Sequence, residues 1–373
     1  MKVKTASRLG EVKEYYFSIK LKEIARMRAE GIDVLNLGIG SPDLPPDPEV
    51  IMALQQHSFS PGNHAYQSYS GLPELRAAFA KWYDKHFGVS LDPASEVLPL
   101  IGSKEGIMHI SMTYVEAGDE VLVPNPGYPA YRAVTNLTGA TIREYKLDAS
   151  NGWLPDLEAL DQEDLTKVKI MWVNYPHMPT GTAAPADFFE RLVAFAKRHE
   201  LLIVNDNPYS FILNDSPRSI LSVAGAKDVA LELNSLSKSH NMAGWRVGAL
   251  MGAAHFLQDV LRFKSNMDSG MFKPLQLAAA KALDNPDSWY ENLNHIYRQR
   301  QQKVFDIMRA LDCTFDESQI GMFVWAKIPP RYKNGFEVTD IMLREAHVFI
   351  TPGGIFGSQG DEYIRISLCS EAE

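Results

Sequence analysis

Cysteine is nearly absent: the 373 residues hold only Cys313 and Cys369. So small a supply excludes a disulfide framework and a structural zinc site. The ten histidines form no His-Glu-x-x-His pair and no cluster with cysteine, so no metal is expected. No apolar run approaches the ~18 residues of a spanning helix, which argues against a membrane protein. Basic charge is in deficit, 37 Lys and Arg against 46 Asp and Glu, giving a net charge of −9. An acidic surface argues against nucleic acid or an anionic membrane as a partner. The opening Met1-Lys2-Val3-Lys4-Thr5-Ala6-Ser7-Arg8 lacks the apolar stretch of a secretion signal, and a cytoplasmic protein is expected. Repeats and low-complexity linkers are missing too.

The rest is ordinary globular composition, 45% hydrophobic and 22% charged, in a chain long enough for two domains. Residues 11–31 read as a charged helix, with Ile19, Leu21, Ile24 and Met27 near helical spacing. A short strand at 34–37 runs into a turn, and helices are expected over 73–87 and 104–116. Strand-like runs at 120–124, 141–145, 170–173, 201–204, 229–233 and 247–251 then alternate with helices such as 186–199. This alternation predicts an α/β fold: a mostly parallel sheet with helices on both faces. A long polar helix, about 287–311, precedes strands at 322–328, 348–350 and 363–368 and a helix near 337–346, which reads as a smaller α+β domain. The expected division is 46–265 for the large domain, and 1–45 with 266–373 for an N-terminal arm and small domain.

Chemistry concentrates in Ser235-Leu236-Ser237-Lys238-Ser239-His240-Asn241-Met242-Ala243-Gly244-Trp245-Arg246. Two hydroxyls, an amine and a guanidinium at this spacing suit a phosphorylated aldehyde. Lys238 forms a Schiff base, while Ser235, Ser237 and Arg246 take the phosphate. A lone lysine is more often a surface charge, so the companions decide. Asp206 ends a predicted strand, where ligands of open α/β sheets bind, and can hold a pyridinium N–H. Its Asn-Asp-Asn-Pro setting is also ordinary turn chemistry. Gly102-Ser103-Lys104-Glu105-Gly106 opens a helix and can cup an anion, although a serine there is more often a plain cap. Lys104 need not reach the phosphate. Arg365, among apolar neighbours in Tyr363-Ile364-Arg365-Ile366-Ser367, calls for an anionic partner unless it is an edge-strand charge.

Taken in order, these segments resemble the aspartate aminotransferase family of pyridoxal-phosphate (PLP) enzymes, class I/II. The Gly-Ser-Lys-Glu-Gly wording is similar to its LL-diaminopimelate aminotransferase branch. The resemblance runs from Gly40 to Arg365 and implies the PLP-dependent transferase fold. It implies that Tyr209 bonds the PLP phenolate oxygen beside Asp206 on the ring nitrogen. Tyr128, in Pro126-Gly127-Tyr128-Pro129, would stack on the ring. Tyr66, in Tyr66-Gln67-Ser68-Tyr69, would cross to a neighbouring subunit's phosphate, which implies a homodimer. Arg365 would clamp the substrate α-carboxylate with Gly40 beside it. The implied partners are an amino acid and a 2-oxo acid. Only eight residues follow Arg365, fewer than such proteins usually carry, so the sequence is expected to be a piece of a longer chain.

One segment departs from the pattern. In Asn174-Tyr175-Pro176-His177-Met178-Pro179-Thr180-Gly181, Met178 stands where the family has the asparagine that bonds the phenolate oxygen. Methionine cannot donate that bond, leaving Tyr209 alone or with Asn174 or His177 as a substitute. Transamination is the expected activity. A PLP-dependent β-carbon–sulfur lyase and a non-catalytic PLP-binding regulatory domain are the alternatives. A Ser-x-x-Lys acyl-enzyme reading of the lysine segment needs Ser-Asp-Asn and Lys-Thr-Gly companions, and neither tripeptide occurs.

Overall fold

A computed structural model of the chain describes residues 3–10, 12 and 14–371. Helix α1 (Tyr16–Ala29) and strand β1 (Leu35–Asn36) lead to α2 (Pro48–Ser58) and α3 (Pro73–Phe87). Next come β2 (Val97–Leu100), α4 (Ser103–Tyr114), β3 (Glu120–Asn125), α5 (Pro129–Thr138), β4 (Thr141–Lys146) and the one-turn α6 (Leu157–Leu160). They are followed by β5 (Val168–Val173), α7 (Phe188–His199), β6 (Leu202–Asp206), β7 (Ala230–Ser235), the one-turn α8 (Leu236–Ser239) and β8 (Gly248–Met251). The chain then runs through α9 (Ala254–Lys264), α10 (Lys273–Leu283) and α11 (Asp287–Ala310). It closes with β9 (Phe323–Lys327), α12 (Gly335–Glu345), β10 (Val348–Phe349), β11 (Thr351–Pro352) and β12 (Tyr363–Ser367).

The large sheet has the order β2-β8-β7-β6-β5-β3-β4. Only β8 runs against its neighbours; every other pairing is parallel. Its inner strands are largely apolar on both faces, as a covered parallel sheet requires, whereas edge strand β4 is mostly polar. Side chains alternate between two cores: Leu122, Met171, Val173 and Ile203 enter one, and Val121, Val123, Ile170, Trp172 and Val204 the other. Helices α3, α7 and α10 cover the first face, and α4, α5 and α9 the second. The expected mostly parallel α/β sheet, with helices on both sides, is the observed fold.

A second group of elements surrounds a separate core. The two-stranded β1–β10 sheet and the antiparallel β11-β12-β9 sheet pack with α1, α11 and α12. Long α11 spans both regions: Tyr290 lies in the first core, while Leu293, Tyr297, Val304 and Phe305 lie in the other. The helix expected over 11–31 begins only at Tyr16; Glu11 and Lys13 of that span lie outside the described residues. Strand β2 was not foreseen because Pro99 interrupts it. It is an edge strand paired only with β8, where a missing N–H is tolerated.

Candidate active site

The carboxyl ends of β3, β5, β6 and β7 open on a cavity of about 940 Å³. At the end of β7, Ser235 caps α8: its Oγ accepts from the Ser237 amide at 3.2 Å and donates to Ser237 Oγ at 2.9 Å. The next turn carries Lys238 into the cavity, where its Nζ donates to the Gly40 carbonyl. Burial lowers the lysine pKa; Cys369 and Asp206 oppose that shift, and the Arg365 and Arg246 charges add to it. A desolvated amine of lowered pKa is a ready nucleophile towards an aldehyde.

Asp206, the last residue of β6, is buried. Tyr131 donates to its Oδ2 at 3.0 Å, while Oδ1 has no hydrogen-bond partner among the described residues. Desolvation pushes the carboxyl up to about 7, against the pull of the Tyr131 bond and the Lys238 charge. A buried, half-satisfied carboxylate of this kind favours a cationic N–H donor. Tyr131 itself is fixed by stacking on Trp172, centroids 5.0 Å apart and rings 6° from parallel. From the sequence alone Tyr131 was given no part. Its position three residues after Tyr128, across the first turn of α5, was the available signal. Tyr128 meets Tyr131 edge-on at 5.6 Å and lines the cavity with Tyr209 and Asn174.

Another wall is built for an anion. Gly102 and Ser103 begin α4, whose first amides have no partner inside the helix. Gly102 has φ +79°, and a Cβ there would collide with the Arg246 guanidinium. Among the described residues Arg246 reaches only backbone carbonyls, those of Ala243 at 3.0 Å and Ile101 at 3.5 Å. Lys104 lies 5.0 Å from the centre of the Tyr15 ring, its pKa lowered by burial and then by Arg246. The cup is braced from behind: Glu105 accepts from the Ile101 amide and lies 3.1 Å from His109. Glu105, His109 and Asp268 bring possible ligand atoms within 4.8 Å of one another. Lys264, however, holds both Asp268 oxygens at 2.6 and 2.9 Å, taking the place of a cation.

Arg365 is buried in β12, inside an aromatic box. Its guanidinium carbon lies 3.8 Å from the Phe323 centroid, 4.7 Å from Phe356 and 5.8 Å from Phe17. It donates to Gly38 O at 3.0 Å and to Met178 Sδ at 3.2 Å, and its Nε has no partner. Desolvation lowers its pKa to about 10. Among the described residues no carboxylate pairs with it. Gly40 admits the Phe323 ring, which a Cβ would strike. The loop is anchored by Asp43, whose two oxygens each lie 2.7 Å from Arg300.

An amine, a carboxylate, an anion cup and an unpaired guanidinium thus share one cavity. The family described as aminotransferase class I and II matches residues 32–373. The chain belongs to that family. It is 41% identical over 368 residues to an LL-diaminopimelate aminotransferase of Dehalococcoides mccartyi, covering 98% of this chain and 95% of the relative. The corresponding enzyme of Desulforudis audaxviator is 42% identical over 97% of this chain and 93% of its own length. Among solved structures, substrate-bound BacF from Bacillus subtilis superposes with a TM-score of 0.96, at 36% identity over 100% of this chain and 95% of that one. A Thermus thermophilus aspartate aminotransferase variant shares the fold, with a TM-score of 0.91 at 24% identity over 99% and 96% of the two chains.

This protein is therefore a PLP-dependent aminotransferase, acting on an amino acid and a 2-oxo acid. The unpartnered Asp206 oxygen, the Gly102–Arg246 cup and the desolvated Lys238 fit PLP. Of the two expected substitutes for the missing asparagine, Asn174 lines the cavity and His177 does not. Asn174 spends its amide on Asp206 O and on the Met178 amide, the latter at 2.9 Å. His177 does not line the cavity, and its Nδ1 meets Thr180 Oγ1 at 2.8 Å. Tyr66 is 91% exposed and does not line the cavity of its own chain. The Phe17–Phe323–Phe356 box escaped sequence reasoning because its members are scattered along the chain among ordinary core phenylalanines. No helix among the described residues is long and apolar enough to cross a membrane.

Proposed function

We propose that this aminotransferase takes the amino group of LL-diaminopimelate, or of a shorter L-amino acid such as aspartate or alanine, and gives it to a 2-oxo dicarboxylate. The observation carrying the reading is one cavity that holds both the desolvated Lys238 and the unpaired Arg365. The donor comes from the named function of relatives about 41% identical over nearly the whole chain. Those names also favour transfer over β-elimination.

Each residue has a part that follows from its chemistry. Bound PLP supplies an aldehyde carbon and an electron-withdrawing ring. Lys238 would hold that carbon covalently, and its amine is the group placed to take a proton from the substrate α-carbon and return it. Asp206 faces the ring nitrogen and keeps it protonated, since a carboxylate opposite a cation is stabilised in its charged form. Tyr209 donates to the ring oxygen, and Tyr128 covers a ring face. Gly102, Ser103, Ser235, Ser237 and Arg246 hold the phosphate, with Lys104 close by. Arg365 binds the α-carboxylate through its planar fork, over the backbone of Gly40.

We infer further that the working unit is a cytoplasmic homodimer, with Tyr66 serving the partner's phosphate. Its exposure and its absence from its own cavity support that role, and both cysteines are free thiols. The division into a PLP-binding unit, 46–265, and a smaller unit, 1–45 with 266–373, is retained as a proposal. The packing of α10 in the large-sheet core argues for extending the first unit to α11. The test incubates purified protein with 2-oxoglutarate and diaminopimelate, aspartate or alanine, and measures glutamate. Absence of glutamate with every donor sinks the substrate reading.

A further inference from the structure

We propose that Met178 sets the protonation of the lysine–cofactor linkage by offering the cofactor's ring oxygen no hydrogen-bond donor, one fewer than an amide at that position would. The inference rests on the assignment of Lys238 and Asp206 to PLP. In pyridoxal phosphate the ring nitrogen lies opposite the aldehyde carbon. The ring oxygen and the phosphate arm flank that carbon on its two sides. With the nitrogen at Asp206, the aldehyde at Lys238 and the phosphate in the Gly102–Arg246 cup, the ring oxygen must face away from the cup. Lining side chains outside the cup include Asn174, Met178 and Tyr209.

The donors there can be counted. Asn174 bonds backbone groups with both ends of its amide, Asp206 O and Met178 N, and keeps one further N–H on Nδ2. His177 lies off the cavity, and burial lowers its pKa to about 3, so it is neutral. Met178 has no N–H or O–H in its side chain. Its thioether instead accepts from Arg365 Nη1 at 3.2 Å. The Tyr209 hydroxyl makes no hydrogen bond within the described residues and lies on the cavity wall. Tyr209 is thus a hydroxyl donor free for the ring oxygen, and Met178 adds none.

Donor number has a thermodynamic consequence. When the lysine-bound nitrogen is protonated, the ring oxygen already shares that proton. When it is deprotonated, the oxygen's charge has only the protein to bond. An external donor therefore favours the deprotonated form, and each one lowers the pH at which the nitrogen loses its proton. The charges facing this nitrogen are Asp206, Arg365, Arg246 and Cys369, with Tyr209, Tyr15 and Tyr128 around them. Of these, Arg365 alone bonds residue 178, through the Met178 thioether, and Met178→Leu controls for the loss of that bond. Met178 thus keeps the linkage protonated, and so electrophilic towards an incoming amine, to higher pH than an amide would.

The test is an absorbance titration of purified holoenzyme against pH. Met178→Gln, nearly the same length, and Met178→Asn each introduce an N–H donor, whereas Met178→Leu introduces none. The expected result is a midpoint lowered by about one pH unit in at least one amide variant, the scale of one hydrogen bond to a charged group. Met178→Leu should titrate with the parent. If both amide variants titrate with the parent, or Met178→Leu moves as far as they do, the proposal is overturned. If Lys238→Ala still forms a borohydride-reducible cofactor adduct on another lysine, the cofactor assignment falls and the proposal falls with it. Reductive trapping in the Lys238 variant and titration of the Met178 variants thus separate the two failures.

Discussion

Arg365 brings a full charge into a box of three aromatic rings, with one carbonyl and one thioether as its bonded partners. The rings recover part of the desolvation cost through their π faces, and a bidentate carboxylate would recover more. Arg365→Lys keeps the charge and loses the fork. A charge-assisted pair is worth about 1.5–3 kcal/mol, so kcat/KM should fall about 10- to 100-fold for both amino acid and oxo acid. The bound-PLP spectrum should not change, since the cofactor is held elsewhere. Intact amino-acid affinity in Arg365→Ala would move the clamp to another residue. Asp206 gives a pH prediction. Its native pKa is raised to about 7, whereas an unfolded aspartate titrates near ~3.9. Between those values the native state holds a proton that the unfolded chain has lost. Stability from this group is full below about 3.9 and is lost as pH rises through about 7. In cofactor-free protein, Asp206→Asn should therefore gain denaturation midpoint over wild type between acid and neutral pH. Parallel pH slopes for the two proteins would contradict the raised carboxyl. Bound PLP gives the carboxylate a cation and should abolish the difference.

At the scale of elements, α1 forms one wall of the cavity, and Phe17 joins it to the second core and to Arg365. Phe17→Ala should lower unfolding free energy by about 3 kcal/mol, the low end for a buried phenylalanine, as read by urea denaturation. It should also raise KM while leaving PLP bound. An unchanged KM would reduce α1 to scaffolding. The elements show what a sequence can reveal. Lys238, Asp206 and the 102–106 loop were legible because their chemistry lies within a few consecutive residues at strand ends. So was the sheet, whose apolar runs recur between helical ones. Strand β2 was hidden because its proline is acceptable only at an edge, and edges are set by the finished sheet. Tyr131 was hidden because its partner, Asp206, lies 75 residues away. Asn174, read as a cofactor ligand, lines the cavity, and its amide also ties the ends of β5 and β6 together. That role depends on strand order, which no local pattern contains.

At the scale of the whole molecule, the exposed ring of Tyr66 poses the remaining question. A tyrosine 91% exposed buries almost none of its apolar surface in one chain. Nearby residues add to the exposed apolar surface: Tyr69, of the same loop, and Met267, preceding Gly270, which packs on the Gln67 and Ser68 carbonyls. A second copy placed over this region would bury it and bring Tyr66 to the partner's phosphate cup. In a two-fold dimer each site then draws Lys238 from one chain and Tyr66 from the other. The arrangement makes a prediction that exposure alone does not. Lys238→Ala should be inactive, and Tyr66→Ala should bind PLP weakly and turn over slowly. Unfolded together and refolded as a mixture, the two variants form hybrid dimers. One site of each hybrid has both defects, and the other has neither. With equal mixing and random pairing, about a quarter of all sites should be intact, and activity should rise to about that fraction of wild type. If Tyr66 served its own chain, every site with Lys238 would still lack Tyr66, and mixing would restore nothing. Activity of the mixture no higher than the mean of the separate variants would refute the shared site, even if sedimentation showed a dimer.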